Sequence, residues 1–360
     1  MKRVFISDCE GPISKNDNAF ELTTHFVPNG NKLFTVISRY DDVLADILKR
    51  PNYKAGDTLK LILPFLKAYD VTDSKMHEFS MRNLVLIAGI KGALECIRKV
   101  ADAYIVSTSY EHYIKALCQT LDFPYENTYC TRLSLDKYYL TSEEKKKLQS
   151  TAKEIAQMSI IEIPFEAKTL KDFPKKDQNI IRRLDEIFWK EITCTDCGRI
   201  FSEVNPVGGS EKANALKDIA KRKGVALKDV MYVGDSITDI EAFKLVKENG
   251  GLTVSFNGNQ YAIKNAEIAI LSENGIVTAV LAEVFSRFGR QQALNLAKHW
   301  NSEALKKSPI SQALLDSLFT LYPDELPKVK IIISENMENL AKESSEFRKK
   351  VRGEAIGRLG

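Results

Sequence analysis

Short apolar runs, each stopped by a polar or glycine-bearing turn and followed by a helix-patterned stretch, constrain this fold most. Val4–Ser7 runs into Asp8-Cys9-Glu10-Gly11-Pro12, and residues 103–106 run into Ser107-Thr108-Ser109. Residues 230–233 stop at Gly234-Asp235-Ser236, and residues 252–256 stop at Asn257-Gly258-Asn259. Further strands are predicted over 128–133 and 267–271. Helical periodicity covers 89–100, 110–121, 211–221 and 237–247. Strands alternating with helices imply a parallel sheet covered on both faces, an α/β doubly wound, Rossmann-like core.

A chain of 360 residues is long for one such core. Two segments break the alternation. Residues 13–86 are mostly helical in pattern, with Val43, Leu44, Ile47 and Leu48 on one face. Residues 134–206 carry a Lys/Glu-rich helix over 143–158, a strand-like run over 160–164 and a further helix over 177–189. The expected organisation is a core of 1–12, 87–133 and 207–283, with a helical cap insertion over 13–86. A second, α+β insertion follows over 134–206, and a helical C-terminal extension covers 284–360, including a charged helix over 335–351.

Bulk properties exclude several classes. The net charge of +4 is mild, and no Lys/Arg block is dense enough to argue for nucleic acid. No stretch reaches the roughly 20 apolar residues of a membrane span. The start, Met1-Lys2-Arg3, runs straight into a strand without a signal-peptide pattern. Six scattered cysteines do not make a disulfide framework, which fits a reducing cytoplasm. Cys194 and Cys197 have the spacing of half a zinc site but lack nearby partners, so two thiols on a turn is the favoured reading.

Ligands of an open parallel sheet bind outside the carboxyl ends of its strands. Asp8 and Glu10, then Ser107 and Thr108, then Lys212 after a Gly-Gly turn, then Asp235 and Asp239, all lie at such ends or beside them. This set suits phosphoryl chemistry. Phosphate-monoester hydrolysis needs up to ~10²¹-fold acceleration, and a carboxylate nucleophile is repelled by the phosphate dianion. A divalent cation on oxygen ligands and the Lys212 ammonium would cancel that charge, and a Ser107 or Thr108 hydroxyl would hold a phosphoryl oxygen. Glu10, two residues past Asp8, could protonate the leaving alcohol and then activate water. Asp239, one helical turn past Asp235, could orient a metal-bound water or fix Lys212.

These motifs, in this order, resemble the four motifs of the haloacid dehalogenase (HAD) superfamily. The stretch 103–133 followed by Lys212 looks most like its phosphoserine-phosphatase-like branch. The chain as a whole is similar to archaeal HAD proteins, some labelled hydrogenase-associated. The resemblance implies Asp8 as nucleophile, Glu10 as acid/base and Lys212 as catalytic cation. It implies Ser107, Thr108 and Lys212 around the phosphate, and Mg2+ on Asp8, the Glu10 carbonyl, Asp235 and Asp239. Most HAD phosphatases carry Asp where Glu10 stands; the enolase-phosphatase branch resembles this chain in having Asp-x-Glu-Gly. The extra methylene moves the carboxyl by about 1.5 Å, which bears on rate and substrate range.

The expected activity is Mg2+-dependent hydrolysis of a small phosphorylated metabolite through an aspartyl-phosphate. Two rivals remain at this stage: a phosphotransferase or mutase using the same residues, and a non-catalytic regulatory protein on the same scaffold. A protein partner or oligomer is left open.

Overall fold

Strand β1 (Val4–Ser7) is buried along its whole length, and apolar at Val4, Phe5 and Ile6, because it lies at the middle of a sheet covered on both faces. The structure is a computed structural model and describes residues 3–164 and 166–357. The remaining strands are β2 (Asp102–Tyr110), β3 (Thr128–Thr131), β4 (Val230–Gly234), β5 (Leu252–Phe256), β6 (Ile268–Leu271) and β7 (Lys328–Ile331). They form one sheet of order β3-β2-β1-β4-β5-β6-β7, parallel throughout except for β7. Chain order reverses between β1 and β4, whose ends are in register at Ser7 and Val233. That reversal opens the crevice in which such sheets bind ligands.

Helices α1 (Asn18–Phe26), α2 (Gly30–Asp42), α3 (Thr58–Ala68) and α4 (Asp73–Asn83) lie in the first insertion. The core then supplies α5 (Ile90–Val100) and α6 (Glu111–Leu121). The second insertion holds α7 (Ser142–Gln157), α8 (Lys175–Glu186) and α9 (Ile200–Glu203). The core resumes with α10 (Ser210–Lys223), α11 (Ile240–Glu248), α12 (Gln260–Asn265) and α13 (Ile276–Phe288). The C-terminal part adds α14 (Arg290–Lys298), α15 (Ser302–Lys307), α16 (Gln312–Leu321), α17 (Met337–Arg352) and α18 (Glu354–Gly357). Side chains of β1, β2 and β4 alternate between two apolar layers: Phe5, Ile105 and Met231 on one face, Ile6, Val106 and Tyr232 on the other.

The expected alternation stands, with four differences. Strand β2 does not end at Val106. It shifts register and continues to Tyr110, because Thr131 of β3 pairs with Tyr110 and its hydroxyl donates to the Thr108 carbonyl at 2.5 Å. The C-terminal extension is not wholly helical: in β7 the Lys-Val-Lys-Ile alternation buries Val329 and exposes both lysines, a solvated edge that caps β6 antiparallel. Residues 160–164 are loop, not strand. They meet no strand to pair with, so residues 134–206 hold helices and no strand among the described residues, and the α+β character expected there is absent. Finally, the two insertions are not separate modules. Leu33, Ile37, Leu61 and Phe65 of the first share one apolar cluster with Leu148, Ile155, Leu184 and Phe188 of the second, and the Tyr40 and Phe188 rings stack at 5.8 Å.

Candidate active site

Asp8 leaves β1 with its backbone N–H still donating to Val233 O at 2.8 Å, so its main chain is fixed beside the end of β4. One carboxylate oxygen accepts from Cys9 N at 2.7 Å and the other meets Lys212 Nζ at 2.6 Å. Cys9 itself points into the opposite apolar layer. Lys212 stands in the first turn of α10 with no exposed side-chain surface, and its ammonium also meets Asp239 Oδ1 at 2.6 Å. Asp239 has both oxygens engaged: Tyr232 Oη donates to Oδ1 at 2.6 Å, and the backbone N–H groups of Asp235 and Ser236 donate to Oδ2, each at 2.9 Å. It therefore fixes both Lys212 and the loop that carries Asp235. Gly11, at φ +111°, brings the loop after β1 against Asp235; a Cβ there would stand 2.1 Å from Asp235 Oδ2.

One ligand oxygen each from Asp8, Asp235 and Asp239 falls within 4.8 Å of the others, the one group of three or more metal-ligating side chains among the described residues. Cys194 and Cys197 belong to no such group, and all six cysteines are free thiols. Burial sets the electrostatics. It pushes the Asp8 carboxyl up to about 7, against the pull of Lys212 and with the push of Asp239 and Asp235. Burial alone would raise Asp239, but the Lys212 ammonium together with the Tyr232 hydroxyl and the Asp235 N–H holds it below the usual carboxylate range. Lys212 stays charged above its ordinary range: burial disfavours the ammonium, but two carboxylates more than offset it.

Glu10 and Asp8 line a cavity of about 100 Å³ with Asp235, Ser236, Thr238 and Thr108 of the core. Phe34, Ser38, Asp41, Asp42, Gly56 and Thr58, all from residues 13–86, add to its lining. Burial, then Asp17, drives the Glu10 carboxyl well above the ordinary glutamate range, although Asn18 N–H donates to its Oε1 at 2.7 Å. Asp41 braces the covering loop by accepting from Tyr53 Oη, Gly56 N and Thr58 N. Of the two predicted hydroxyls, Thr108 lines the cavity and donates to Val207 O at 3.1 Å, while buried Ser107 accepts from Ser109 N at 3.1 Å.

Sequence reasoning missed two groups. Arg348 and Arg352, from the last turns of α17, reach across the sheet edge into the same cavity and are almost fully buried. Nη1 of each donates to Asp235 Oδ2, Arg352 at 3.1 Å. Arg352 also donates from Nε to Lys15 O at 2.9 Å and from Nη2 to Asn16 O. The signal was a face, not a motif: Leu340, Ser344, Arg348 and Arg352 recur every four residues and all are buried. Asp8, Asp235 and Asp239 still bring carboxylate oxygens together at one point, and such hard oxygen donors fit a divalent cation such as Mg2+.

A sheet reversal at β1/β4, Asp8 after β1, Asp235 after β4 and a lysine bridging Asp8 to Asp239 define a class of Rossmann-like hydrolases. The family model described as haloacid dehalogenase-like hydrolase matches residues 96–282, more than half of the 360, and the chain belongs to that family. A curated phosphoserine phosphatase from Archaeoglobus fulgidus is 28% identical over 111 residues, which are 30% of this chain and 30% of that protein's length. The solved structure of a gene product from the same organism covers all of this chain and 99% of its own, at 25% identity and a TM-score of 0.81. No described helix is long and apolar enough to cross a membrane.

Proposed function

We propose that the chain is a phosphatase that hydrolyses a small-molecule phosphomonoester through an aspartyl-phosphate on Asp8. The observation that carries this reading is the buried Asp8–Lys212–Asp239 bridge beside Asp235, at the reversal between β1 and β4. Similarity to a curated phosphoserine phosphatase over about a third of the chain supports it.

In this mechanism the Asp8 carboxylate attacks phosphorus and the bond to the leaving alcohol breaks. Glu10, kept protonated by its burial, delivers its proton to that oxygen. The Glu10 carboxylate then takes a proton from water as the water attacks the aspartyl-phosphate, which regenerates Asp8 and releases inorganic phosphate. Lys212 neutralises charge on Asp8 and on the phosphoryl oxygens, and Asp239 positions Lys212 and the loop carrying Asp235. Thr108, with Ser107 behind it, lies where a hydroxyl could meet a phosphoryl oxygen. Mg2+ would be held by Asp8, Asp235 and the Glu10 carbonyl, with Asp239 adjoining, and would supply the positive charge that lets a phosphate dianion approach an anionic nucleophile. The cap over the cavity excludes water and faces the leaving group.

A panel of phosphorylated metabolites assayed with Mg2+ tests the proposal, with Asp8→Asn as the blank. Phosphate release by the native chain and none by the variant is expected. Equal release by both would sink it.

A further inference from the structure

One of the acids that would bind the cation, Asp235, already holds two partners that no motif announces. Arg348 and Arg352 place two guanidinium groups on a single oxygen, Asp235 Oδ2, and Arg348 also reaches the Asp235 carbonyl at 3.4 Å. These side chains are not loose. The Ser344 hydroxyl donates to Gly258 O at 2.6 Å, Leu340 packs with Ile263, Ala269 and Leu271, and the Arg352 fork ties down Lys15 O and Asn16 O. Beyond Arg352, Ile356 packs against the cap. Helices α17 and α18 thus strap core to cap, and α17 delivers two positive charges to the buried acid Asp235. The Arg348 Nε is buried without a hydrogen-bond partner, so the contact leaves one donor of the pair unsatisfied.

We infer that α17 is an autoinhibitory latch, in which Arg348 and Arg352 compete with the divalent cation for Asp235. Two guanidinium charges on a ligating carboxylate repel a divalent ion and satisfy the charge it would otherwise neutralise. The cation binds Asp235 when the arginines withdraw, and the helix end loosens from the cavity as it does so. The inference rests on the divalent site proposed above, but not on turnover.

Calorimetric titration of Mg2+ into the full-length chain reads it without an assay of activity. Arg348→Gln and Arg352→Gln should each bind Mg2+ at least tenfold more tightly than the native chain, and Arg348→Lys, which keeps the charge, should stay near the native value. In the native chain, saturating Mg2+ should raise amide hydrogen exchange across 345–357, a measurement that needs no variant. Unchanged or weaker affinity in the Gln variants, no Mg2+ binding by any form, or unchanged exchange in this segment would each overturn the latch. Tighter binding in the Gln variants without hydrolysis of any ester would keep the latch and reject the phosphatase reading.

Discussion

Lys212 ties together two of the site's buried carboxylates. It has no exposed surface, and its ammonium lies 2.6 Å from an oxygen of each of two buried carboxylates. Removing one member of a buried ion cluster leaves the others uncompensated, which is costlier than never having built the cluster. Lys212→Met should lower stability by about 3 kcal/mol or more and abolish turnover, read by thermal melting and by the phosphate-release assay. A variant that melts with the native chain would remove Lys212 from this role. Asp8, Lys212, Asp235 and Asp239 were legible in the sequence because each belongs to a short local pattern at a strand end or helix start. Arg348 and Arg352 were not. Their spacing matches any solvated helix, and only the path of α17 back across the sheet decides that two charges point inward.

At the scale of elements, local signals succeeded where the chain decides alone. β1 and β5 have the predicted limits, and the helix predicted over 143–158 forms as α7, one residue earlier at each end. Thr141 and Glu144 make a capping box there: the Thr141 hydroxyl accepts from Glu144 N at 3.2 Å, and Glu144 Oε2 accepts from Thr141 N at 2.9 Å. Thr141→Ala should destabilise the cap by about 1 kcal/mol, measured as a shift in the urea midpoint by circular dichroism; an unchanged midpoint would show that tertiary packing alone holds this helix. Signals failed where pairing is not local. The extended run 160–164 lacks a neighbour, while Lys328–Ile331 becomes a strand because β6 offers an open edge. The same dependence on partners hid the union of the two insertions, whose shared core joins residues more than a hundred positions apart.

Across the whole molecule, the packing of residues 13–86 and the sheet buries a set of carboxyls. Burial, the largest influence on each, pushes Asp8, Glu21 and Asp41 up to about 7 and Asp42 up to about 6. A carboxyl whose folded pKa lies above its unfolded value binds its proton more tightly when folded. The stability it contributes is complete below the unfolded value, near 4.5 for a glutamate, and is lost as pH rises through the folded value of about 7. Glu21 gives the cleanest reading, because it lies outside the proposed chemistry and its partner Asn16 donates to both its oxygens, at 2.9 and 2.8 Å. Glu21→Gln keeps an acceptor for Asn16 and removes the titration. The melting temperature of Glu21→Gln relative to the native chain should therefore rise between pH 5 and pH 8. The gain should be on the order of 1 kcal/mol, reduced from the full pKa shift because the side chain is partly exposed. A difference that stays flat across that range would place the ionised Glu21 in water, and α1 would then sit more loosely against Asn16 than these hydrogen bonds imply.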